Sequence, residues 1–267
     1  MITPCDRVGN RFALLQGLLR ISPVPHLMVD CLWTNPEPSR LRFIKRGLSK
    51  IANRGVRKYV VWARHEMQDY PRALGLPEDK FAYLPFHTTT EGYDFQVEQG
   101  DYIFAGGDGD RDYSTLIEAV KDIPVKVIIA TRTKIHGYSK EIYPNVLVKA
   151  ASHEEFRKLM AGSLMVVVSM KGGLLHSGGQ QTYLNAMRMG KPVIVCSPAA
   201  GDYIVDWKTG VVLANGEVNG LHDAIFRLMN DSKLALEMGR AAEDSAKLFS
   251  TENTMSQVLE LAKSLIR

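Results

Sequence analysis

The residues best suited to chemistry in this sequence sit in two Gly-rich turns, each placed where a strand would hand over to a helix. The first, AGGDGDRDYSTLIEA over Ala105–Ala119, leaves its strand through Gly106, Gly107 and Gly109 and sets Arg111 near a helix start. Three carboxylates, Asp108, Asp110 and Asp112, stand among these glycines and argue against a simple phosphate cradle. That turn reads either as a tight connection or as a ligand loop. The second turn, HSGGQQTYLNAMRMGKPVIV over His176–Val195, is more specific. Gly178 and Gly179 let the backbone approach a ligand, and Gln180, Gln181 and Thr182 open a helix whose unpaired N–H groups can hold a diphosphate. Asn185 and Arg188 follow on the same helix, Gly190 ends it, and Pro192 restarts the chain as a strand. The bland alternative makes Tyr183, Leu184 and Met187 core residues and the glycines a connection.

Such turns act only if a parallel sheet delivers them to one edge, and the periodicity supplies that sheet. From Tyr102 onward, strands are expected at 102–105, 125–130, 146–149, 164–169, 192–196 and 210–213. Helices at 113–120, 153–160, 180–189, 220–230 and 232–248 alternate with them, a helical turn falls at 202–205, and a last helix runs from Thr251 to about Ile266. This is the pattern of a doubly wound α/β domain, which binds ligands beyond the carboxyl ends of its strands. Before it, a helix over residues 8–20, a buried strand in HLMVDCLW, a strand at 58–62, a helix at 64–74 and a strand at 81–84 form a shorter α/β unit. HTTTEGYDFQVEQG, residues 87–100, is polar and aperiodic and reads as the linker. The expected division is 1–95, 96–250 and a closing helix over 251–267.

The stretch from Ser177 to Asp231 resembles the donor-site region of GT-B glycosyltransferases, the glycosyltransferase family 4-like or group 1 type. LNAMRMGKPVIV, DYIVDWKTGVVL and the helix after them match that family in order and spacing, and the likeness extends from about Tyr102 to the C-terminus. The GGQQTYLNAM variant is similar to a bacterial or archaeal subgroup. The resemblance implies a GT-B-like fold with a complete Rossmann-like C-terminal domain and a truncated Rossmann-like N-terminal domain. It also implies a UDP- or GDP-sugar as substrate, and retention of configuration by analogy. The family's acidic pair, seven residues apart, falls on Ser177 and Asn185, so neither carboxylate is present. Asn185 is expected to keep an acceptor for the nucleotide ribose, and Ser177 or Gln180 to reach sugar hydroxyls. Arg111, with Arg132 after the strand IIAT, takes the place of the basic pair that neutralises the diphosphate. Val148 lies on the strand end whose backbone receives the base.

KYVVWARHEMQDYPRALGLPEDKFAYLPFHT resembles the end of the acceptor-side domain, whose first strands and Gly-rich loop have no counterpart in this sequence. His26 and Asp30 stand where an acceptor-facing group is expected, with a structural role as the alternative for each. The net charge of +4 is concentrated: eight Lys/Arg and no acid lie between Arg40 and Lys58. From Ser39, a plausible N-cap, a helix to Asn53 sets Leu41, Ile44, Leu48 and Ile51 in one stripe beside Arg42, Lys45, Arg46 and Lys50. That pattern suits docking on an anionic membrane. Nucleic acid is not expected, since no RNP, zinc or helix-turn-helix pattern occurs. Three scattered cysteines give neither a disulfide framework nor a metal site, and no apolar run is long enough to span a bilayer. With no signal-type start, the chain is expected in the cytoplasm, peripheral at the inner membrane surface, with no cofactor and no metal. The expectation is sugar transfer from a nucleoside diphosphate sugar to an unknown acceptor, lipid-linked in one version. The alternatives are a degenerate nucleotide-binding or membrane-docking module and a sugar-nucleotide epimerase.

Overall fold

The computed structural model describes residues 1–5, 7–19, 25–31, 33, 41–93 and 96–266, and only the backbone of residues 7, 41–43 and 45. The expected Ser39 N-cap, Arg40, Leu32 and the side chains of Leu41, Arg42 and Lys45 therefore lie outside the described residues. The chain forms two compact units. The first comprises Met1–Phe86, Gly173–Ser177 and Glu252–Arg267, and the second His87–Gly172 and Gly178–Thr251.

The first unit holds a parallel sheet in the order β1-β2-β3-β4, with β1 at Ile2–Pro4, β2 at His26–Val29, β3 at Val56–Val61 and β4 at Phe81–Tyr83. Successive strand side chains point to opposite faces. Met28, Tyr59, Val61 and Phe81 accordingly share a layer with Ala13 of α1 (Arg7–Leu19), Ala52 of α2 (Leu41–Asn53) and Tyr70 and Leu74 of α3 (Glu66–Leu74). Leu27, Val60 and Trp62 turn the other way, against Val258 and Leu261 of the closing helix, Thr251–Ser264. Gly17 lets α1 and α2 touch, because a Cβ there would stand 1.9 Å from the Ile51 carbonyl oxygen. The sequence pattern missed β1. Three residues ending in proline carry no periodicity, and an edge strand tolerates that proline.

The second unit is a six-stranded parallel sheet in the order β10-β9-β8-β5-β6-β7. Its strands are β5 (Tyr102–Gly106), β6 (Lys126–Ala130), β7 (Val146–Lys149), β8 (Met165–Ser169), β9 (Val193–Cys196) and β10 (Val211–Leu213). The order reverses between β5 and β8, which makes that gap the topological switch point of a doubly wound fold. Ile103, Ala105, Val127, Ile129, Met165, Val167 and Ile194 point to one buried layer with α4 (Tyr113–Ala119) and α7 (Val218–Asn230). Helices α5 (His153–Ala161), α6 (Gln180–Arg188) and α8 (Ser232–Ala246) complete the unit. The helical turn expected at 202–205 lies earlier, as a 3₁₀ segment at Pro198–Asp202. Prolines are tolerated in a first helical turn, so Pro198 fits there. Lys191 is buried and donates to the carbonyls of Ser163 (2.7 Å) and Glu98, fastening the polar 87–100 segment to this unit; burial pulls its pKa down to about 8.

Candidate functional site

Beyond the carboxyl ends of β5, β6 and β7, and beside α6, the second unit encloses a cleft of about 540 Å³. Its lining comes from the ends of these elements in turn: Gly107, Asp108 and Arg111 after β5, then Ala130, Thr131 and Arg132 from the end of β6. Ala151, Ser152, His153, Phe156 and Arg157 follow around the start of α5, Gln181, Thr182 and Asn185 come from α6, and Thr89 completes the wall. This is the crevice that a doubly wound sheet offers to a ligand, with a volume in the usual range for small-molecule sites.

The glycines are required by what stands against them. A Cβ on Gly106 would lie 2.3 Å from the Phe156 ring, and Gly107 has φ +118° with Arg111 packed over it. Gly178 and Gly179 leave room for Met170 and Val168, and Gly179, at φ +86°, is the N-cap of α6. That cap has no side chain of its own to bond the N–H groups of the first turn of α6. Helices α4 and α5 differ, since Asp112 and Ser152 cap them.

Arg111 is half-buried at this edge. Its Nε donates to the Gly106 carbonyl at 3.1 Å, Nη1 to the Gly109 carbonyl at 2.9 Å and to Met170 Sδ at 2.9 Å, and Nη2 to Thr182 Oγ1 at 3.2 Å. These acceptors are all neutral, and among the described residues no carboxylate forms an ion pair with it. Burial pulls its pKa down, but a guanidinium stays charged in proteins. A cation without a counter-ion at the mouth of a cleft is costly to hold and attracts an anion.

Arg132 is placed differently. Its guanidinium pairs with Asp108 (Nε to Oδ2, 2.6 Å), and its backbone N–H donates to the same carboxylate at 2.7 Å. The bond from that backbone N–H is the chief reason why Asp108 titrates below the usual carboxylate range. Arg132 is on the cleft wall, but its charge already has a partner. Asn185 is also engaged. Its Oδ1 accepts from the backbone N–H of Thr89 (2.8 Å) and its Nδ2 donates to Thr89 Oγ1 (2.9 Å), while Gln181 Nε2 donates to the same hydroxyl (3.0 Å). Val148 sits on β7 opposite Ile129, half-buried against the core. Gln180 is buried at the first position of α6.

The remaining expected site residues belong to the first unit. Ser177 donates through its backbone N–H (2.6 Å) and hydroxyl (2.8 Å) to Oε1 of Glu66, whose Oε2 accepts from the N–H groups of Trp62 and Ala63. Burial raises the Glu66 pKa, opposed by those bonds from Ser177. His26 is fully buried, bonded to Thr3 (2.7 Å) and Gln16 (3.1 Å), with its pKa lowered to about 4 by burial. Asp30, at φ 58°, accepts from Trp62 Nε1 at 3.0 Å. Arg46 caps the end of α3, donating to the carbonyls of Arg72 and Ala73 at 3.0 Å each, whereas Lys50 is exposed. Ile44 and Leu48 are 57% and 46% exposed, and α1 exposes Val8, Phe12, Leu15, Leu18 and Leu19. The α1 face, Thr89, Phe156 and Glu66 were not anticipated. Thr89 lies in an aperiodic stretch, and the importance of Glu66 comes from Ser177, more than a hundred positions away.

The doubly wound second unit, with its ligand crevice at the switch point, defines the class of protein. Residues 104–231, just under half of the chain, match the family Glycosyl transferases group 1. Among curated proteins, the poly(ribitol-phosphate) alpha-N-acetylglucosaminyltransferase of Staphylococcus aureus is 29% identical over 128 residues, which are 47% of this chain and 25% of that protein. The chain thus spans about a quarter of the length of the curated relative it matches. Among solved structures, Anabaena HepE in complex with UDP superimposes with a TM-score of 0.77 at 15% identity, over 98% of this chain and 78% of HepE. TarM of S. aureus, crystallised with Fondaparinux, alpha-GlcNAc-glycerol and UDP, gives 0.68 at 17% identity over 89% of this chain and 50% of its own. Sucrose-phosphate synthase from Thermosynechococcus elongatus gives 0.72 at 15% identity, over 95% and 72%. These likenesses establish a Rossmann-like α/β fold of the GT-B kind.

Proposed function

We propose that the cleft binds a nucleoside diphosphate sugar and that the chain transfers the sugar to an acceptor hydroxyl. The observation that carries this reading is Arg111, a half-buried cation whose hydrogen-bond partners in the protein are all neutral, beside the glycine-capped start of α6. In the transfer, the bond between the anomeric carbon and the diphosphate oxygen breaks. The nucleoside diphosphate leaves with added negative charge, and a bond forms between the anomeric carbon and the acceptor oxygen, whose proton passes to the departing diphosphate. Arg111 and the N–H groups of α6 stand where that charge would develop, and preorganised donors of this kind often supply the largest single rate effect. Solved relatives hold UDP or UDP-glucose, which favours a uridine donor, and retention follows by analogy alone. Calorimetry with UDP, GDP and ADP tests the binding, and nucleotide release with and without candidate acceptors tests the chemistry. Acceptor-dependent release supports transfer. An altered sugar with free UDP and no acceptor would point to epimerisation, and the absence of binding to any of the three at millimolar concentration would refute the reading.

A second reading concerns where the enzyme works. The exposed apolar residues of α1 and α2, set beside an acid-free basic run, favour peripheral attachment to an anionic membrane surface on its cytoplasmic side, as for a lipid-linked acceptor. Lys50, with Arg42 and Lys45, would carry the charge, while Arg46 is bonded internally. Among the described residues no helix is long and apolar enough to cross a membrane. Flotation with anionic liposomes should show binding that falls with salt; equal binding to neutral vesicles would count against it.

A further inference from the structure

Asn185 was the expected partner of the nucleotide's ribose, but its amide is already in use on both sides. The backbone N–H of Thr89 can only donate, so the atom facing it at 2.8 Å must be the amide oxygen, which fixes the orientation of the amide. The amide nitrogen then faces the Thr89 hydroxyl at 2.9 Å, and Gln181 Nε2 reaches the same oxygen at 3.0 Å. A threonine hydroxyl has two lone pairs and one proton. With Gln181 presenting its Nε2, both lone pairs are filled, and among the described residues no protein acceptor takes the proton. Thr88 and Thr90 on either side are buried, while half-buried Thr89 lines the cleft. Its backbone is also held firmly, because Thr88 N–H donates to the Phe249 carbonyl at 2.8 Å and the Thr88 carbonyl accepts from Thr251 Oγ1 at 2.9 Å.

We infer that Thr89 is the specificity-determining contact for the ribose, donating its hydroxyl proton to a ribose hydroxyl oxygen, with Asn185 and Gln181 as the residues that position it. This rests on the donor-cleft reading above. The placement fits that reading because Asn185 lies three residues, about 4.5 Å of helical rise, beyond the Thr182 that contacts Arg111. A diphosphate at the start of α6 therefore has its ribose within reach of Thr89. The subsite so formed is neutral and donor-rich; among the described residues that line the cleft the one acid, Asp108, is paired with Arg132.

The test compares Thr89→Val, which removes the oxygen at nearly constant shape, with Thr89→Ser, which keeps it. Calorimetry would measure UDP and GDP, each against its 2′-deoxy and 3′-deoxy counterparts. One neutral hydrogen bond to a ligand corresponds to about a two- to twelvefold preference for the intact ribose over one deoxy form. That preference should be present in the parent, retained in Thr89→Ser and reduced to less than about twofold in Thr89→Val. If Thr89 were merely structural, the affinities would fall together and the ratio would survive, which would overturn the inference. A parent without any preference for the intact ribose would overturn it as well. Should the Val variant not fold, Thr89→Ala carries the same comparison. If neither UDP nor GDP binds the parent, the donor-cleft reading falls too; if they bind and only the ratio behaves wrongly, this inference alone falls.

Discussion

Replacing Arg111 with methionine separates binding from folding, because binding should fall while the stability of the free protein stays nearly unchanged. In the free protein the half-buried guanidinium sits among neutral acceptors, the carbonyls of Gly106 and Gly109 and the Thr182 hydroxyl. Removing it leaves those acceptors unsatisfied, at about 1–3 kcal/mol each if water cannot reach them. The same change relieves the desolvation of an uncompensated cation, which costs several kcal/mol. The two terms are of similar size, so the melting temperature of the free variant should stay near that of the parent. With a diphosphate bound, the balance differs, since a charge-assisted hydrogen bond contributes about 1.5–3 kcal/mol, a loss of about 13- to 150-fold in affinity. At 100 times the parent's dissociation constant, UDP should stabilise the parent by about 2.7 kcal/mol. A variant weakened about a hundredfold keeps only ~0.4 kcal/mol at that concentration. For a domain of this size, each kcal/mol shifts Tm by about 2–4 °C, so thermal shift would see about 5–11 °C in the parent and at most ~2 °C in the variant. Equal dissociation constants in calorimetry would refute the placement of the diphosphate. An unfolded variant with a depressed free Tm would refute the argument about the uncompensated cation.

Three further outcomes follow from the same geometry. Asn185→Ala should weaken nucleotide binding by a few-fold to about a hundredfold in calorimetry, because it leaves the Thr89 N–H unpaired and frees its hydroxyl to turn; Asn185→Glu should restore the family's carboxylate, and if both changes leave affinity untouched, the site is misplaced. Gly106→Ala forces a Cβ to within 2.3 Å of the Phe156 ring, so it should cost about 1–3 kcal/mol in urea unfolding and weaken binding together, as Phe156 lines the cleft. His26, with a folded pKa lowered to about 4 against about 6.5 unfolded, stabilises the first unit above pH 6.5 and loses that contribution, up to about 3 kcal/mol, as pH falls from 6.5 to 4; His26→Gln should flatten stability over that window, and an unchanged pH profile would refute the assignment.

The sheet of the second unit was legible because its strands are short runs of apolar residues buried on both faces. IIA, VVV and VIV cannot be mistaken when bounded by glycine and polar turns, and the alternation with helices implied parallel strands before any contact was known. Helix α6 was legible at both ends, through Gly179 before it and Gly190 after it. The short β1 was not, and neither was the internal use of Arg46. From the sequence, Arg46 is one more member of a charge run. Only the arrival of the α3 C-terminus beside it turns that charge into a cap for the carbonyls of Arg72 and Ala73.

The site was legible to the extent that its function is carried by backbone shape, and illegible where it depends on pairing between distant residues. Gly106, Gly107, Gly178 and Gly179 declare their role locally, because a Cβ at each would meet a neighbouring atom or a backbone angle closed to L-residues. Arginine identity alone could not rank Arg111 above Arg132. The difference lies in a carboxylate: Asp108, one residue after Gly107 and 24 before Arg132, forms an ion pair with the exposed Arg132 and none with the half-buried Arg111. By sequence alone, the three acids near Arg111 argue against a simple phosphate cradle. The fold gives two of them other work. Asp108 is turned to Arg132 and Asp112 caps α4; Asp108 and Asp110 favour the charged form of Arg111 through space, and its half-buried guanidinium lines the cleft, where the diphosphate of the proposed donor would meet it.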